Sequence, residues 1–213
     1  LTLSPHLDGK THIIWDWNGT LLDDVTLCVD IIGTMLTEHG LPLVTMDQYK
    51  RQFRFPVVDY YRELGFDFQR TPFESLSEQF MRLYRERVGA CDLFAGRPEM
   101  LAALRENGLR HVALSAAKET YLHAMLAHYG IDHHFDHAFG IADDHAHGKI
   151  KRGQELMATL RVPASEMLLI GDTDHDLEVG MALGVDVVLV GDGHQCPAYL
   201  ATKHAHVLRR LAI

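Results

Sequence analysis

Thr11-His-Ile-Ile-Trp-Asp16-Trp-Asn-Gly-Thr20 is a short β-prone run that halts at an acid and a glycine. Ile13, Ile14 and Trp15 favour a strand, and Gly19 permits the tight turn that must follow. A carboxylate, Asp16, is thereby placed at a strand end. Met167-Leu-Leu-Ile170-Gly-Asp172-Thr-Asp-His-Asp176 has the same grammar, an apolar run followed by glycine and acids. Neither run alternates apolar with polar residues, as expected of strands covered on both faces of a parallel sheet.

Working outward, Val25, Cys28, Ile32, Met35 and Leu36 fall at helical spacing and Gly40 can end that helix. Thr45 with Gln48 forms a capping box, Pro56 opens a helix ending near Gly65, and Thr71-Pro-Phe-Glu74 opens another that runs to about Gly89. Residues 23–93 therefore read as nearly all helical. After Leu93-Phe-Ala-Gly-Arg-Pro98 the pattern becomes helix 98–107, strand 111–114, helix 119–129, helix 152–160, strand 167–170, helix 175–183 and strand 187–190. The fold expected is α/β, a doubly wound parallel-sheet core built from residues 1–22 and 94–213, with residues 23–93 inserted as an α-helical cap. Hinges are expected near Leu21–Asp24 and Leu93–Gly96.

The chain of 213 residues is 47% hydrophobic and 23% charged, enough for one real core and too ordinary for a disordered or fibrous protein. Its 20 Lys and Arg against 29 Asp and Glu give a net charge of −9, which argues against a nucleic-acid or anionic-membrane surface. Cys28, Cys91 and Cys196 are odd in number and far apart, which fits neither a disulfide framework nor a paired-cysteine zinc site. With no apolar run near the ~20 residues that span a bilayer, and no signal-peptide pattern, a cytoplasmic protein is expected.

Ligands of such sheets bind beyond the carboxyl ends of the strands. There the sequence puts Asp16, Ser115 after strand 111–114, and Asp172, Asp174 and Asp176 after strand 167–170, with Lys149 just ahead of a helix. Singly, each has a plain reading: a turn aspartate, a helix-capping serine, acids favoured by a helix N-terminus. Together and in this order they resemble the haloacid dehalogenase superfamily, which has a Rossmann-like core, and the helical insertion after the first motif is similar to its phosphoglycolate phosphatase-like branch. Asp16-Trp-Asn-Gly-Thr20 matches the first motif, Ser115 the second, Lys149 the third with Lys151 as its rival, and Gly171-Asp-Thr-x-x-Asp176 the fourth.

The resemblance implies a Mg²⁺-dependent phosphatase acting on a small phosphorylated metabolite. Asp16 would be the nucleophile, forming an aspartyl phosphate. Asp16, the backbone carbonyl of Asn18, and Asp172 would hold Mg²⁺, with Asp176 orienting that set. Thr20, Ser115, the neighbouring Ala116 and Lys149 would bind the phosphate. Asp174 is left a structural role. The family usually carries a second acid two residues after the nucleophile, as proton donor and later base, and here that residue is Asn18. Asn18 is expected to slow turnover of poor leaving groups, and Asn18→Asp to raise it. The substitution also admits a non-hydrolysing phosphate-binding or regulatory protein, or a phosphonate hydrolase with Lys50 as a Schiff-base lysine. His175 is a possible substitute acid, Arg54 a possible partner for a substrate carboxylate, and the histidines between His123 and His147 read as loop residues.

Overall fold

The computed structural model describes residues 2–141 and 148–211. His145 and His147 lie outside the described residues. Six parallel strands form one sheet in the order β3-β2-β1-β4-β5-β6: β1 His12–Trp15, β2 Arg110–Lys118, β3 Phe135–Ile141, β4 Met167–Gly171, β5 Asp186–Val190 and β6 Val207–Leu208. The chain starts in the middle, winds outward to β3, then returns to the other side of β1. The winding therefore reverses between β1 and β4, where Trp15 pairs with Ile170, and such a reversal opens a crevice at the carboxyl ends.

Successive residues of each strand enter different cores. Ile13, Trp15, Ala113, Ile170 and Val188 join one cluster with α5 (Arg97–Glu106) and α6 (Glu119–His128). Ile14, Val112, Leu114, Leu169 and Leu189 join the other with α7 (Gly148–Leu160), α8 (Asp174–Leu183) and α9 (Pro197–Lys203). Covering on both faces is why these strands are apolar throughout.

Between β1 and α5 stand α1 (Val25–Glu38), α2 (Met46–Gln52), α3 (Val57–Glu63) and α4 (Phe73–Arg87). Ile31, Ile32, Met35 and Leu36 bury one face of α1, which stops where Gly40 takes φ +66°. At the start of α2 the Gln48 amide donates to Thr45 Oγ1 (3.2 Å) while the Thr45 amide donates to Gln48 Oε1 (2.8 Å), the reciprocal box expected of this pair. The two ends of the insertion are stitched together: Leu22 bridges Leu93 in antiparallel fashion, the Asp23 amide donates to the Asp92 carbonyl, and the Phe94 amide to that of Leu21.

The structure extends several elements. β2 continues through Lys118, so Ser115 and Ala116 lie within the strand rather than after it, and α7 begins at Gly148, so Lys149 sits on its first turn. Most of the histidine-rich stretch is ordered secondary structure: His123 and His128 belong to α6, His133 and His134 to a 3-10 turn, and His137 to β3.

Candidate active site

The carboxyl edge of the sheet collects buried polar groups at the β1–β4 reversal. Asp16 leaves β1 with its amide donating to the Ile170 carbonyl (2.9 Å), and Asp172 follows β4. Thr173 caps α8, and Asp176 answers it: its Oδ2 accepts from the amides of Asp172 (3.2 Å) and Thr173 (3.0 Å) and from Thr173 Oγ1 (2.7 Å). The helix start thus fixes a carboxylate in the site. Lys149 reaches in from α7 and donates to Asp16 Oδ1 (2.6 Å) and Asp176 Oδ1 (2.5 Å). Lys149 is 3% exposed, whereas Lys151 is turned to solvent.

The charges are interlocked. Burial pushes the Asp16 carboxyl up to about 6 against the pull of Lys149. Burial also drives Asp172 well above the carboxylate range, with Asp16 and Asp176 adding repulsion. Burial opposes charge at Lys149 too, but its two carboxylates hold the ammonium above its ordinary value. At Asp176 the Lys149 ammonium outweighs burial and lowers the carboxyl. Asp16, Asp172 and Asp176 each offer an oxygen, and these lie within 4.8 Å of one another. A buried carboxylate short of positive charge, in an all-oxygen set of this span, fits a small hard cation such as Mg²⁺.

The phosphate-binding candidates surround this set. Thr20 Oγ1 donates to Asp172 Oδ1 (3.1 Å) and approaches Asp16 Oδ2 (3.3 Å). Ser115 is buried, its Oγ accepting from the Ala117 amide (3.0 Å), and among the described residues its own proton has no acceptor. Ala116 is its half-buried neighbour on β2. Gly19 takes φ +72°, and a Cβ there would stand 2.3 Å from Asp172 Oδ2 and 2.5 Å from His194 Cδ2, so the turn admits only glycine.

The Asn18 side chain bonds away from Asp16 and Asp172. Its Nδ2 donates to Asp24 Oδ2 (2.8 Å) and to Tyr84 Oη (2.6 Å), and that hydroxyl donates to Asp24 Oδ2 (2.7 Å). Asp24 Oδ1 accepts from the Gly19 amide (3.0 Å) and lies 3.2 Å from His194 Nε2. His194 in turn meets Tyr49 Oη through Nδ1 (3.0 Å), and its backbone amide donates to Asp172 Oδ2 (2.6 Å). Burial works against both charges of this pair, yet Asp24 is held below its ordinary value and His194 is lifted to about 9.

Sequence reasoning missed this second network. A signal existed: Gly191-Asp-Gly-His194-Gln-Cys-Pro197 follows a strand, and every strand end of a parallel sheet faces the same crevice. The same loop carries the insertion. Lys50 Nζ donates to the Asp192 carbonyl (2.9 Å), the Cys196 amide to the Lys50 carbonyl (3.0 Å) and Gln195 Nε2 to the Phe53 carbonyl (3.1 Å). Arg97 anchors the return segment through Thr20 and Leu211 carbonyls and Asp192 Oδ2, each at 3.1 Å. His175 lies under Phe55 (ring centroids 4.9 Å apart) with Nδ1 on Glu178, and Arg54 stacks on Tyr199 at 3.5 Å while donating to the Phe53 carbonyl. Asp174 ties the loop to α8 through Gln195 and Tyr199.

A family model for haloacid dehalogenase-like hydrolases matches residues 13–190. The chain is 29% identical over 187 residues to the tyrosine-protein kinase PtkA of Mycobacterium tuberculosis, covering 85% of this chain and 62% of the kinase. It thus spans less than two thirds of that relative's length. A solved structure of PtkA superposes with a TM-score of 0.73 at 26% identity, covering 96% of this chain and 90% of that one. Phosphoglycolate phosphatase of Pseudomonas savastanoi pv. phaseolicola is 24% identical over 197 residues, covering 85% of this chain and 70% of the relative. A haloacid dehalogenase-like family hydrolase from Streptococcus pneumoniae shares the fold at a TM-score of 0.76 and 17% identity, covering 94% of this chain and 93% of that one.

Proposed function

The chain belongs to the haloacid dehalogenase-like hydrolase family, and from that premise we propose that it is a Mg²⁺-dependent phosphatase acting on a small phosphate monoester of the phosphoglycolate type. The observation that carries this reading is Lys149, buried and bridging Asp16 and Asp176 beside Asp172 at the sheet's reversal point. One lysine holds the nucleophile in place but is shared between two carboxylates, so the further positive charge that an incoming phosphate needs would come from a bound Mg²⁺.

In the first step an Asp16 oxygen attacks phosphorus, the new O–P bond forms, and the ester O–P bond breaks. Thr20 and Ser115 hydroxyls would hold the non-bridging oxygens, with Lys149 balancing their charge. Water then attacks the aspartyl phosphate, releasing inorganic phosphate and restoring the Asp16 carboxylate. Mg²⁺ held by Asp16, the Asn18 carbonyl and Asp172 would supply Lewis-acid stabilisation of the phosphoryl oxygens. Asn18 offers no acid, so the departing oxygen must take its proton from solvent, and aryl or acyl phosphates should outrun alkyl esters. Asp16 is only 8% exposed, so substrate entry needs an opening, and the insertion, bonded to the 191–196 loop through Lys50 and Phe53, is the element expected to lift.

A second reading is phosphoryl transfer to a hydroxyl instead of water. Likeness to PtkA and the absent acid at position 18 favour it. A Schiff base on Lys50 has less support, because its amine is engaged by the Asp192 carbonyl. The deciding experiment incubates the protein and Mg²⁺ with alkyl, aryl and acyl phosphates, a phosphonate, and a labelled nucleoside triphosphate with a tyrosine peptide. The phosphatase reading expects inorganic phosphate, reduced roughly 10⁴-fold or more by Asp16→Asn. Label on the peptide moves the assignment to kinase, Mg²⁺-dependent binding without turnover to a regulatory protein, and turnover indifferent to Asp16→Asn removes the nucleophile.

A further inference from the structure

We propose that Asp24, Cys28 and His194 form a second metal site, suited to a divalent ion that accepts sulfur and nitrogen ligands, Zn²⁺ being the type case, at the seam between the helical insertion and the core. The proposal stands apart from the phosphatase reading. Asp24 and Cys28 are four residues apart at the start of α1 and so share a helix face, while His194 comes from the loop after β5. All three are buried, and one carboxylate oxygen, the thiol sulfur and one ring nitrogen lie within 4.8 Å of each other.

One of the spacings is already that of a tetrahedral shell, and the others lie within reach of it. Bonds of about 2.0 Å to oxygen and nitrogen and about 2.3 Å to sulfur put neighbouring ligand atoms roughly 3.3–3.6 Å apart. Asp24 Oδ1 and His194 Nε2 are already 3.2 Å apart, whereas Cys28 Sγ lies 3.9 Å from the other carboxylate oxygen, Oδ2, and within 4.8 Å of the ligand set. The thiol is the group that must draw in. The supports are in place as well: Tyr49 Oη on Nδ1 turns Nε2 toward Asp24, and Asn18 and Tyr84 hold the other carboxylate oxygen. A ligating histidine is normally oriented through its second nitrogen in this way.

Loading balances in charge. One M²⁺ enters and two protons leave to solvent, one from His194 Nε2 and one from the Cys28 thiol, which becomes a thiolate. The donor set separates this site from the all-oxygen trio of Asp16, Asp172 and Asp176, because thiolate and imidazole select zinc-like ions over Mg²⁺. Since Asp24 opens the insertion and His194 belongs to the core, a metal here would pin the insertion down over the crevice.

Co²⁺ titration of the full chain, freed of metal with a chelator, tests this. The expected result is a near-ultraviolet thiolate-to-cobalt absorption with intense tetrahedral visible bands. It should vanish on adding equimolar Zn²⁺, be absent in Cys28→Ala and survive in Asp172→Asn. Tyr49→Phe, which keeps all three ligands, should weaken Zn²⁺ affinity about tenfold in a chelator competition. Should Cys28→Ala fail to fold by circular dichroism, His194→Gln replaces it and must lose the tetrahedral bands. No thiolate band in the unmodified chain, or one that persists in Cys28→Ala, overturns the proposal.

Discussion

The two ends of the parallel sheet each bury a histidine, and they hold it in opposite charge states. At the amino end His111, at the start of β2, accepts from Trp15 Nε1 (2.9 Å) and sits 3.0 Å from the Leu101 carbonyl. Burial pushes it down to about 4, so it is neutral. At the carboxyl end His194 is buried too, but the Asp24 carboxylate beside it overrides burial and lifts it to about 9. Burial alone does not decide charge; the partner does. The amino end spends its ion pairs at the surface, as in Arg105 and Arg110 on Asp136, and opens a cavity of about 460 Å³ between Lys10 and His204 remote from the acidic cluster. The carboxyl end keeps Asp16, Asp24, Lys149, Asp172 and Asp176 out of water.

The largest expected effect comes from breaking the buried end. Lys149→Met leaves Asp16 and Asp176 without their cation and should cost about 3–5 kcal/mol of stability, read from denaturant unfolding, together with all turnover. Retained stability would mean that water reaches the pair.

Asn18→Asp comes next. Read from sequence alone it should help catalysis; in the structure it sets a second carboxylate 2.8 Å from the Asp24 oxygen that Asn18 now serves. We expect a loss of about 2–3 kcal/mol and no gain in alkyl-ester turnover. The exchange Asn18→Asp with Asp24→Asn should recover most of the stability. A faster and equally stable Asn18→Asp would show that the side chain swings to the substrate.

The histidines sharpen the comparison through pH. His111 is lowered in the folded state, so its contribution is present above its unfolded value near 6.5 and lost as pH falls toward 4, about 3 kcal/mol at most. His194 is raised, so its contribution is full below 6.5 and lost as pH rises through 9. Stability curves of His111→Gln and His194→Gln should depart from the parent chain in the acid and the alkaline window respectively. Departures in the same window would refute the contrast. Smallest is Arg110→Ala, an exposed partner of Asp136, which should leave the melting temperature unchanged.

Much of this was legible in the sequence because apolar runs without alternation and glycine-acid strand ends are local signals. The strands around Ile13, Val112, Leu169 and Val188 and the strand-end acids Asp16, Asp172 and Asp176 follow from them, the helices of residues 23–93 from apolar spacing and caps, and Lys149 from the resemblance. β3 was hidden, since its residues Phe135–Ile141 carry an aspartate and a histidine on a half-buried strand at the sheet edge. The Asp24–His194 contact joins residues 170 positions apart, and no local pattern marks such a pair. For Asn18 the residue type ruled out proton transfer, but only the position of Tyr84 on α4 reveals what the amide does instead.

The stitch that joins Leu21–Asp23 to Asp92–Phe94 also bears on how the sheet assembles. β1 and β2 are neighbours in space but are separated by the whole insertion, and His12 must find Arg110. Once the ladder closes, the chain between them is effectively a short turn and one helix. Shrinking that loop from about 95 residues to about 25 lowers its closure cost by roughly 1 kcal/mol. The insertion can therefore vary in length with little penalty to the pairing of the central strands, and its two ends, lying side by side, make it a segment that can be exchanged whole.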